Sequence, residues 1–128
     1  MKPIQRLFKV KIARGITLVM ITIAIMGSLM PPQQIEQLTF SLSDKLIHGL
    51  YYATLTFFWL LSTKTNTTQI HIQVGLSVFF LGLTLEIMQD VLPIERNMDV
   101  LDVIANSVGI GFAIGTARFL EIGYLDYA

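Results

Sequence analysis

The sequence predicts an all-α integral membrane protein, a bundle of four membrane-spanning helices. Its 128 residues are 53% hydrophobic and only 14% charged, with a mean hydropathy of +0.64. Soluble domains carry about 25% charged residues, so this chain has too few charges to cover a soluble globule. Three windows, residues 15–35, 46–63 and 65–85, contain no Asp, Glu, Lys or Arg. Each window approaches the roughly 20 apolar residues that cross a bilayer as a helix.

We expect a single domain over residues 1–128, with helices at about 13–30, 44–62, 70–89 and 100–118. The first helix follows a basic segment, MKPIQRLFKVKIAR, which also resembles the start of a secretory signal peptide. We expect this helix to be retained as a membrane span. Its apolar run is long and ends SLMPP, without a small-residue cleavage site.

The distribution of Lys and Arg predicts the orientation, because cytoplasmic loops of membrane proteins carry an excess of these residues. Five of them precede the first helix, and Lys64 and Arg118 belong to the same face. Only Lys45 and Arg96 fall at the other face. This bias of seven against two places both termini in the cytoplasm. The loops PPQQIEQLTFSLS and DVLPIERNM then lie outside.

Composition also limits the chemistry. The chain has no cysteine, which excludes disulfides, thiolate metal sites and cysteine nucleophiles. Its formal net charge is zero and its basic residues cluster only in a short head, so binding to nucleic acid is not predicted.

Two features of the helices have structural interpretations. Ser107, Gly111 and Gly115 recur every four residues, the spacing that permits close helix approach in membranes. We expect this stripe to pack against neighbouring helices of the same bundle rather than to form a dimer seam. His71 stands alone at the start of the third helix, and we expect an interfacial side chain there.

The stretch RNMDVLDVIANSVG carries polar groups into an otherwise apolar helix. Asp99, Asp102 and Asn106 are spaced by three and four residues, which places them on one helix face. An ionised carboxylate at the centre of a spanning helix costs about 2.5–3.5 kcal/mol. A chain that keeps such residues needs a compensating partner or a polar cavity for them.

The second and third helices place polar residues at the same predicted outer face. The second helix starts SDKLIHGLYY, and the third ends with Glu86, Gln89 and Asp90. Helix capping, the helix dipole and snorkelling account for the terminal residues Asp44 and Lys45. They do not account for groups a turn or more inside. These inner groups are His48, Glu86, Asp102 and Asn106. Two interpretations remain open for them, a structural network and a functional cavity.

His48, Glu86 and Asp102 lie at a similar depth from the outer ends of their helices. A lone carboxylate at that depth has no water to compensate it. We therefore expect His48 to pair within about 4 Å with one of those two carboxylates, directly or through one water. We expect Lys45 or Arg96 to neutralise another acid of the group.

Three segments, SDKLIHGLYY, LEIMQDVLP and RNMDVLDVIANSVGIG, together resemble the VanZ-like family of small bacterial membrane proteins. The resemblance covers about residues 43 to 115, with order and spacing intact. At one position the chain departs from the pattern: Glu95 stands where family members commonly have a glycine. The matching residues are Asp44, Lys45, His48, Tyr52, Glu86, Gln89, Arg96, Asp99, Asp102, Ala105, Asn106 and Gly109.

The resemblance implies a multi-pass protein of the bacterial inner (cytoplasmic) membrane with a role at the cell envelope. The family takes its name from a protein linked to resistance against the glycopeptide antibiotic teicoplanin, and most members have no known activity. An outward-facing site agrees with such a role, because glycopeptides and lipid-linked wall precursors are met outside the cell.

Three functions are compatible with these residues. In the first, an outward-facing polar cavity binds or modifies an envelope lipid or lipid-linked glycan. Lys45 and Arg96 would hold phosphate as charge-assisted donors, and Asp102, Glu86 and Asn106 would take hydroxyl or amine groups. The expected partners are then membrane lipids.

In the second function the protein is a membrane enzyme. Asp102 or Glu86 acts as general acid or base beside His48. A divalent metal held by Asp44, His48, Glu86 and Asp102 is a variant, but the sequence has no metal motif such as HExxH, so neither a metal nor another cofactor is predicted.

In the third function the protein is a structural subunit of a larger membrane complex, and the polar network only fixes the bundle. A polar cavity that fits a lipid head group would favour the first function. A catalytic dyad within hydrogen-bond reach would favour the second, and a satisfied network without a cavity the third.

The predicted topology has a direct test. A reporter that is active only in the periplasm should give no signal when it is attached to Ala128, because four crossings return the chain to the cytoplasm. A cytoplasmic reporter at the same residue should be active. A strong periplasmic signal with a silent cytoplasmic reporter would overturn the topology and the outward placement of the site.

Overall fold

Helices account for most of the chain. The structure, a computed structural model, describes residues 3–30, 44–63 and 67–120. These residues form four helices and no strand, so the all-α prediction is confirmed for this part of the chain. The four helices are α1 (Pro3–Ser28), α2 (Asp44–Leu61), α3 (Thr68–Val91) and α4 (Val100–Phe119).

The first helix begins earlier than predicted, at Pro3 instead of residue 13. It continues back through the basic segment because Lys and Arg are good helix formers. The other three helices lie within two residues of the predicted bounds. The predicted outer loop at 31–43, the loop tip at 64–66 and both chain termini lie outside the described residues.

Within the described ranges, three helices are long and apolar enough to cross a membrane by length and composition: α1 from Phe8, α3 and α4. The 18 residues of α2 extend about 27 Å at 1.5 Å per residue. Its first turns carry Asp44, Lys45 and His48, which lower its hydropathy. By this hydropathy criterion α2 does not count as a membrane span, although its second half is as apolar as the other three helices.

Side-chain caps begin two of the helices. Thr67 accepts a hydrogen bond from the Ile70 amide at 3.2 Å at the start of α3. Asp99 does the same for the Leu101 amide at 2.9 Å at the start of α4. Each cap satisfies an amide that the first helical turn leaves without a partner. At its other end α3 stops before Pro93, because the residue preceding a proline avoids helical conformation.

α2 and α4 pack with their backbones in direct contact. A Cβ atom added to Gly109 would lie 2.1 Å from the carbonyl oxygen of Gly49 and 3.1 Å from the Ala53 amide nitrogen. Only a residue without a side chain fits there, and small residues generally mark such close crossings in membranes. Gly49 lies five residues after the start of α2 and Gly109 nine residues after the start of α4, so this contact brings the first turns of the two helices together.

The predicted packing stripe of α4 is wrong. Gly111 and Gly115 are exposed, and added Cβ atoms there would meet no atom within 4 Å. The buried stripe is instead Gly109, Ala113 and Ala117. The two stripes have the same spacing but are offset by two residues, about 200° around a helix. Spacing alone therefore did not identify the face that packs.

The core lies between α2, α3 and α4. Its most deeply buried side chains are Leu55, Thr56 and Val78, and the Thr56 hydroxyl donates to the Tyr52 carbonyl oxygen at 2.7 Å. α1 packs along the side of this core, chiefly against α2. Met20 and Ile21 are the α1 residues that contact it.

His71 lies at the start of α3, but its side chain is buried in the protein, with 4% exposed, instead of facing the interface. It lies three residues before Val74 and seven before Val78, so it shares their core-facing side of α3. Its Nδ1 atom has no hydrogen-bond partner among the described residues.

The glycine contact provides a matched pair of substitutions. Gly109→Ala should destabilise the protein by about 1–3 kcal/mol, because overpacking pushes α2 and α4 apart. Gly111→Ala introduces the same methyl group into open space and should leave stability unchanged or raise it by up to about 1 kcal/mol. Thermal unfolding in mild detergent measures both. Equal effects would contradict the backbone contact.

Candidate functional site

Most of the polar side chains that the sequence singles out meet at one end of the helices, which we call the polar end. It holds the first turns of α2 and α4 and the last turns of α1 and α3. Lys45 lies four residues before Gly49, and Asp102 lies seven before Gly109, so each shares a face with its glycine. The glycine contact therefore brings Lys45 and Asp102 together.

Lys45 is the central cation of this cluster. Its ammonium donates to Asp99 Oδ2 and Asp102 Oδ1 and lies 3.5 Å from Asp44 Oδ2. The Asp102 side chain is only 8% exposed, whereas that of Lys45 is 41% exposed. A nearly buried carboxylate thus obtains the opposite charge that it needs away from water. The predicted neutralisation of an acid by Lys45 is confirmed.

His48 connects the carboxylates to an amide. Its Nδ1 lies 3.2 Å from the Oδ1 of Asn106. Its Nε2 lies 3.7 Å from Asp102 Oδ2 and 3.8 Å from Asp44 Oδ1. The predicted approach of His48 to Asp102 within about 4 Å is confirmed. Tyr52 lies parallel to the imidazole, with ring centroids 6.5 Å apart.

Glu86 and Asp90 tie the end of α3 to the start of α4. The Asp99 amide donates to Glu86 Oε2 at 3.2 Å, and the Met98 amide donates to Asp90 Oδ1 at 3.3 Å. Glu86 is buried. Hydrogen bonds from Lys45 and from the Leu101 amide hold the pKa of Asp99 below its ordinary value, so this residue is ionised at neutral pH.

Among the residues that the structure describes, Arg96 forms no ion pair with an acid. Its Nη1 donates to the carbonyl oxygens of Gly27 at 3.2 Å and Ser28 at 3.0 Å, the last residues of α1. Gln89 Nε2 donates to the same Ser28 oxygen at 2.9 Å. A cation at a helix C-terminus satisfies unpaired carbonyls and the helix dipole. The expectation that Lys45 or Arg96 neutralises an acid is therefore met by Lys45, while Arg96 binds the end of α1.

A cavity of about 440 Å³ lies at the polar end between α1, α2 and the end of α3. Its apolar lining comes mainly from α1, and its polar lining comes mainly from α2 together with Gln89 and Arg96. The apolar lining is Ile23, Ala24, Met26, Gly27, Met30 and Ile47. The polar lining is Ser28, Asp44, His48, Tyr51, Tyr52, Gln89 and Arg96.

The ten predicted site residues divide into two neighbouring groups. One group lines the cavity: Asp44, His48, Tyr52, Gln89 and Arg96. The other does not line the cavity and forms the network between the helices: Lys45, Glu86, Asp99, Asp102 and Asn106. His48 belongs to the cavity lining and contacts the network, so it joins the two groups.

Several groups that build the site were not predicted. Gly82 makes room for Asn106 and Tyr52, since an added Cβ would lie 2.9 Å from Asn106 Nδ2 and 3.0 Å from Tyr52 Cε1. Its position four residues before Glu86, on the same helix face, was an available signal. The carbonyls of Gly27 and Ser28 gave no signal, because main-chain groups do not depend on the side-chain pattern.

Of the four residues named for a metal variant, the structure groups three, and Glu86 is not among them. Asp44, His48 and Asp102 offer ligand atoms that all lie within 4.8 Å of one another. The Lys45 ammonium bonds to Asp102 and lies 3.5 Å from Asp44, so it stands where a cation would balance these carboxylates.

Comparisons of the chain with protein-family models, with curated proteins and with solved structures give no match.

The Lys45–Asp102 contact can be measured by a double-mutant cycle. Lys45→Met and Asp102→Asn should each destabilise the protein by about 1–3 kcal/mol, because each leaves a charged partner unsatisfied. The double variant should lose less stability than the sum of the losses in the two single variants. The difference, which is the coupling energy, should be on the order of 0.5–3 kcal/mol.

Thermal or denaturant unfolding of the full chain in mild detergent provides the readout. Asp90→Asn is the control, because Asp90 is exposed and outside the Lys45 cluster, and its effect should stay within about 0.5 kcal/mol. Strictly additive effects of the two substitutions would show that the ion pair contributes nothing to stability.

Proposed function

We propose that this chain is a VanZ-like integral protein of the bacterial inner membrane that binds an envelope lipid or lipid-linked glycan. In this proposal four helices span the membrane, both termini lie in the cytoplasm and the polar end faces outward. The cavity of about 440 Å³ at that end is the observation that carries the proposal.

The surface of the helices supports a membrane location. Three helices have the length and composition of membrane spans, and large apolar side chains on them are exposed, such as Val108 and Phe112. Extended apolar surface of this kind is unfavourable in water. In α2 the ionisable groups contact partners at the polar end, which is how intramembrane charges are accommodated.

The cavity has the chemistry of a lipid site. Its apolar lining on α1 suits a hydrocarbon chain, and its polar lining includes the charged side chains of Asp44 and Arg96 and the His48 imidazole for a head group. Binding sites for small ligands usually combine apolar lining with a few polar groups that orient the ligand. A role limited to fixing the bundle would need the network of Lys45, but it would leave this cavity without a purpose.

The same geometry favours binding over catalysis. Asp102 and Glu86, the predicted acid or base residues, do not line the cavity and are engaged by Lys45 and by the Asp99 amide. Only His48 of the predicted catalytic residues lines the cavity. The Asp102 carboxylate, already bonded to an ammonium, therefore serves to position Lys45 and His48.

The backbone before Arg96 supports the family resemblance. Glu95 has φ of 57°, in the left-handed region that glycine adopts without steric cost. Family members commonly have glycine at this position. The single departure from the family pattern thus falls on a residue whose conformation glycine favours.

A matched pair of glycines on α1 tests the proposal. Added Cβ atoms at Gly27 and at Gly15 would meet nothing within 4 Å, but only Gly27 lines the cavity. Gly27→Leu should fill part of the cavity and reduce co-purifying lipid several-fold relative to the unmodified protein. Gly15→Leu should retain it. Native mass spectrometry of the full chain in mild detergent counts the lipid bound to each protein.

Wild-type protein without bound lipid, even after lipid extract is added back, would overturn the lipid-binding function. So would equal retention by both leucine variants. Unchanged melting temperatures of the two variants would show that any loss at Gly27 reflects the cavity and not the fold.

A further inference from the structure

We infer that the cavity takes a zwitterionic phospholipid with a primary ammonium group, that is, a phosphoethanolamine head group. Arg96 would contact its phosphate and Asp44 its ammonium. The inference rests on the proposed function, which it deepens by naming the ligand class.

Arg96 presents the positive side of the cavity. Its Nη1 is used by the carbonyls of Gly27 and Ser28, whereas its Nη2 and Nε have no acceptor within the described ranges. A guanidinium with two such nitrogens can donate two parallel hydrogen bonds to one phosphate. Arg96 is also bound at the end of α1, the helix whose Ile23 and Met26 contribute to the apolar lining.

Asp44 presents the negative side. Its side chain is 55% exposed, and its nearest basic groups in the described part of the chain are the Lys45 ammonium at 3.5 Å and the His48 Nε2 at 3.8 Å. The Lys45 ammonium lies closer to Asp99 and Asp102 than to Asp44. Three carboxylates therefore share one ammonium, and the excess negative charge at Asp44 attracts a further cation.

Both charges line the same cavity, so a single ligand that carries both fits it best. In a phosphoethanolamine lipid the phosphate joins the acyl chains to the ammonium. A head group with glycerol in place of the amine offers no charge to Asp44. A choline head group has no N–H to donate, so it forgoes charge-assisted hydrogen bonds.

The test uses the full chain, freed of lipid in mild detergent and titrated with three lipids that have identical acyl chains. These are phosphatidylethanolamine, phosphatidylglycerol and phosphatidylcholine, and native mass spectrometry measures each affinity. Phosphatidylethanolamine should bind roughly tenfold more tightly than the other two lipids. This factor corresponds to the free energy of one charge-assisted hydrogen bond.

Two variants assign the charges. Asp44→Asn should abolish the preference for phosphatidylethanolamine over phosphatidylglycerol, and Arg96→Gln should weaken both lipids by a similar factor. Asp90→Asn and Arg118→Gln remove matched charges that do not line the cavity, and they should leave all three affinities unchanged. Arg96 also holds the end of α1, so its substitution affects the fold as well as the charge. Asp44→Asn is therefore the decisive variant, because the Asp44 side chain is largely exposed.

Equal or tighter binding of phosphatidylglycerol or phosphatidylcholine would overturn the inference. So would a preference that survives Asp44→Asn. In either case the proposed function stands if Gly27→Leu still blocks the lipid that does bind. If neither these lipids nor a lipid-linked glycan extract binds the wild-type protein, the proposed function fails together with the inference.

Discussion

The rest of the structure depends on the contact of the Lys45 ammonium with Asp99 and Asp102. A carboxylate as buried as that of Asp102 is costly in an apolar environment unless an opposite charge lies beside it. Lys45 can reach both acids only if the first turns of α2 and α4 lie side by side. The backbone contact between Gly49 and Gly109 makes this possible, because no side chain separates the two helices there.

The polar end consequently has two layers with different roles. The inner layer is the ion pair with its partners Asn106 and Glu86, which satisfies buried polar groups and fixes three helices relative to one another. The outer layer is the cavity, whose apolar lining comes mainly from α1, a helix that contributes no residue to that network. α1 is attached at this end by hydrogen bonds from Arg96 and Gln89 to its last carbonyls, and the cavity lies beside these contacts.

Much of this arrangement could be predicted from local pattern. Uncharged windows located the helices, and spacings of three and four residues placed Asp99, Asp102 and Asn106 on one face. Equal depth along the helices predicted that His48 approaches a carboxylate, because a carboxylate without water needs a partner. The role of Arg96 was harder to predict, since its acceptors are main-chain carbonyls that every residue possesses.

Local pattern determines which residues share a helix face and how deep they lie, since both follow from the helical repeat and rise. It does not determine which face turns toward a neighbouring helix. Gly109 and Gly111 are both small residues in stripes of equal spacing, yet only Gly109 lies against another backbone. His71 is buried for the same reason, because the packing of α3 turns that face inward. Tertiary structure alone decided the rotation of each helix, and with it the division of the ten predicted residues between ion-pair network and cavity wall.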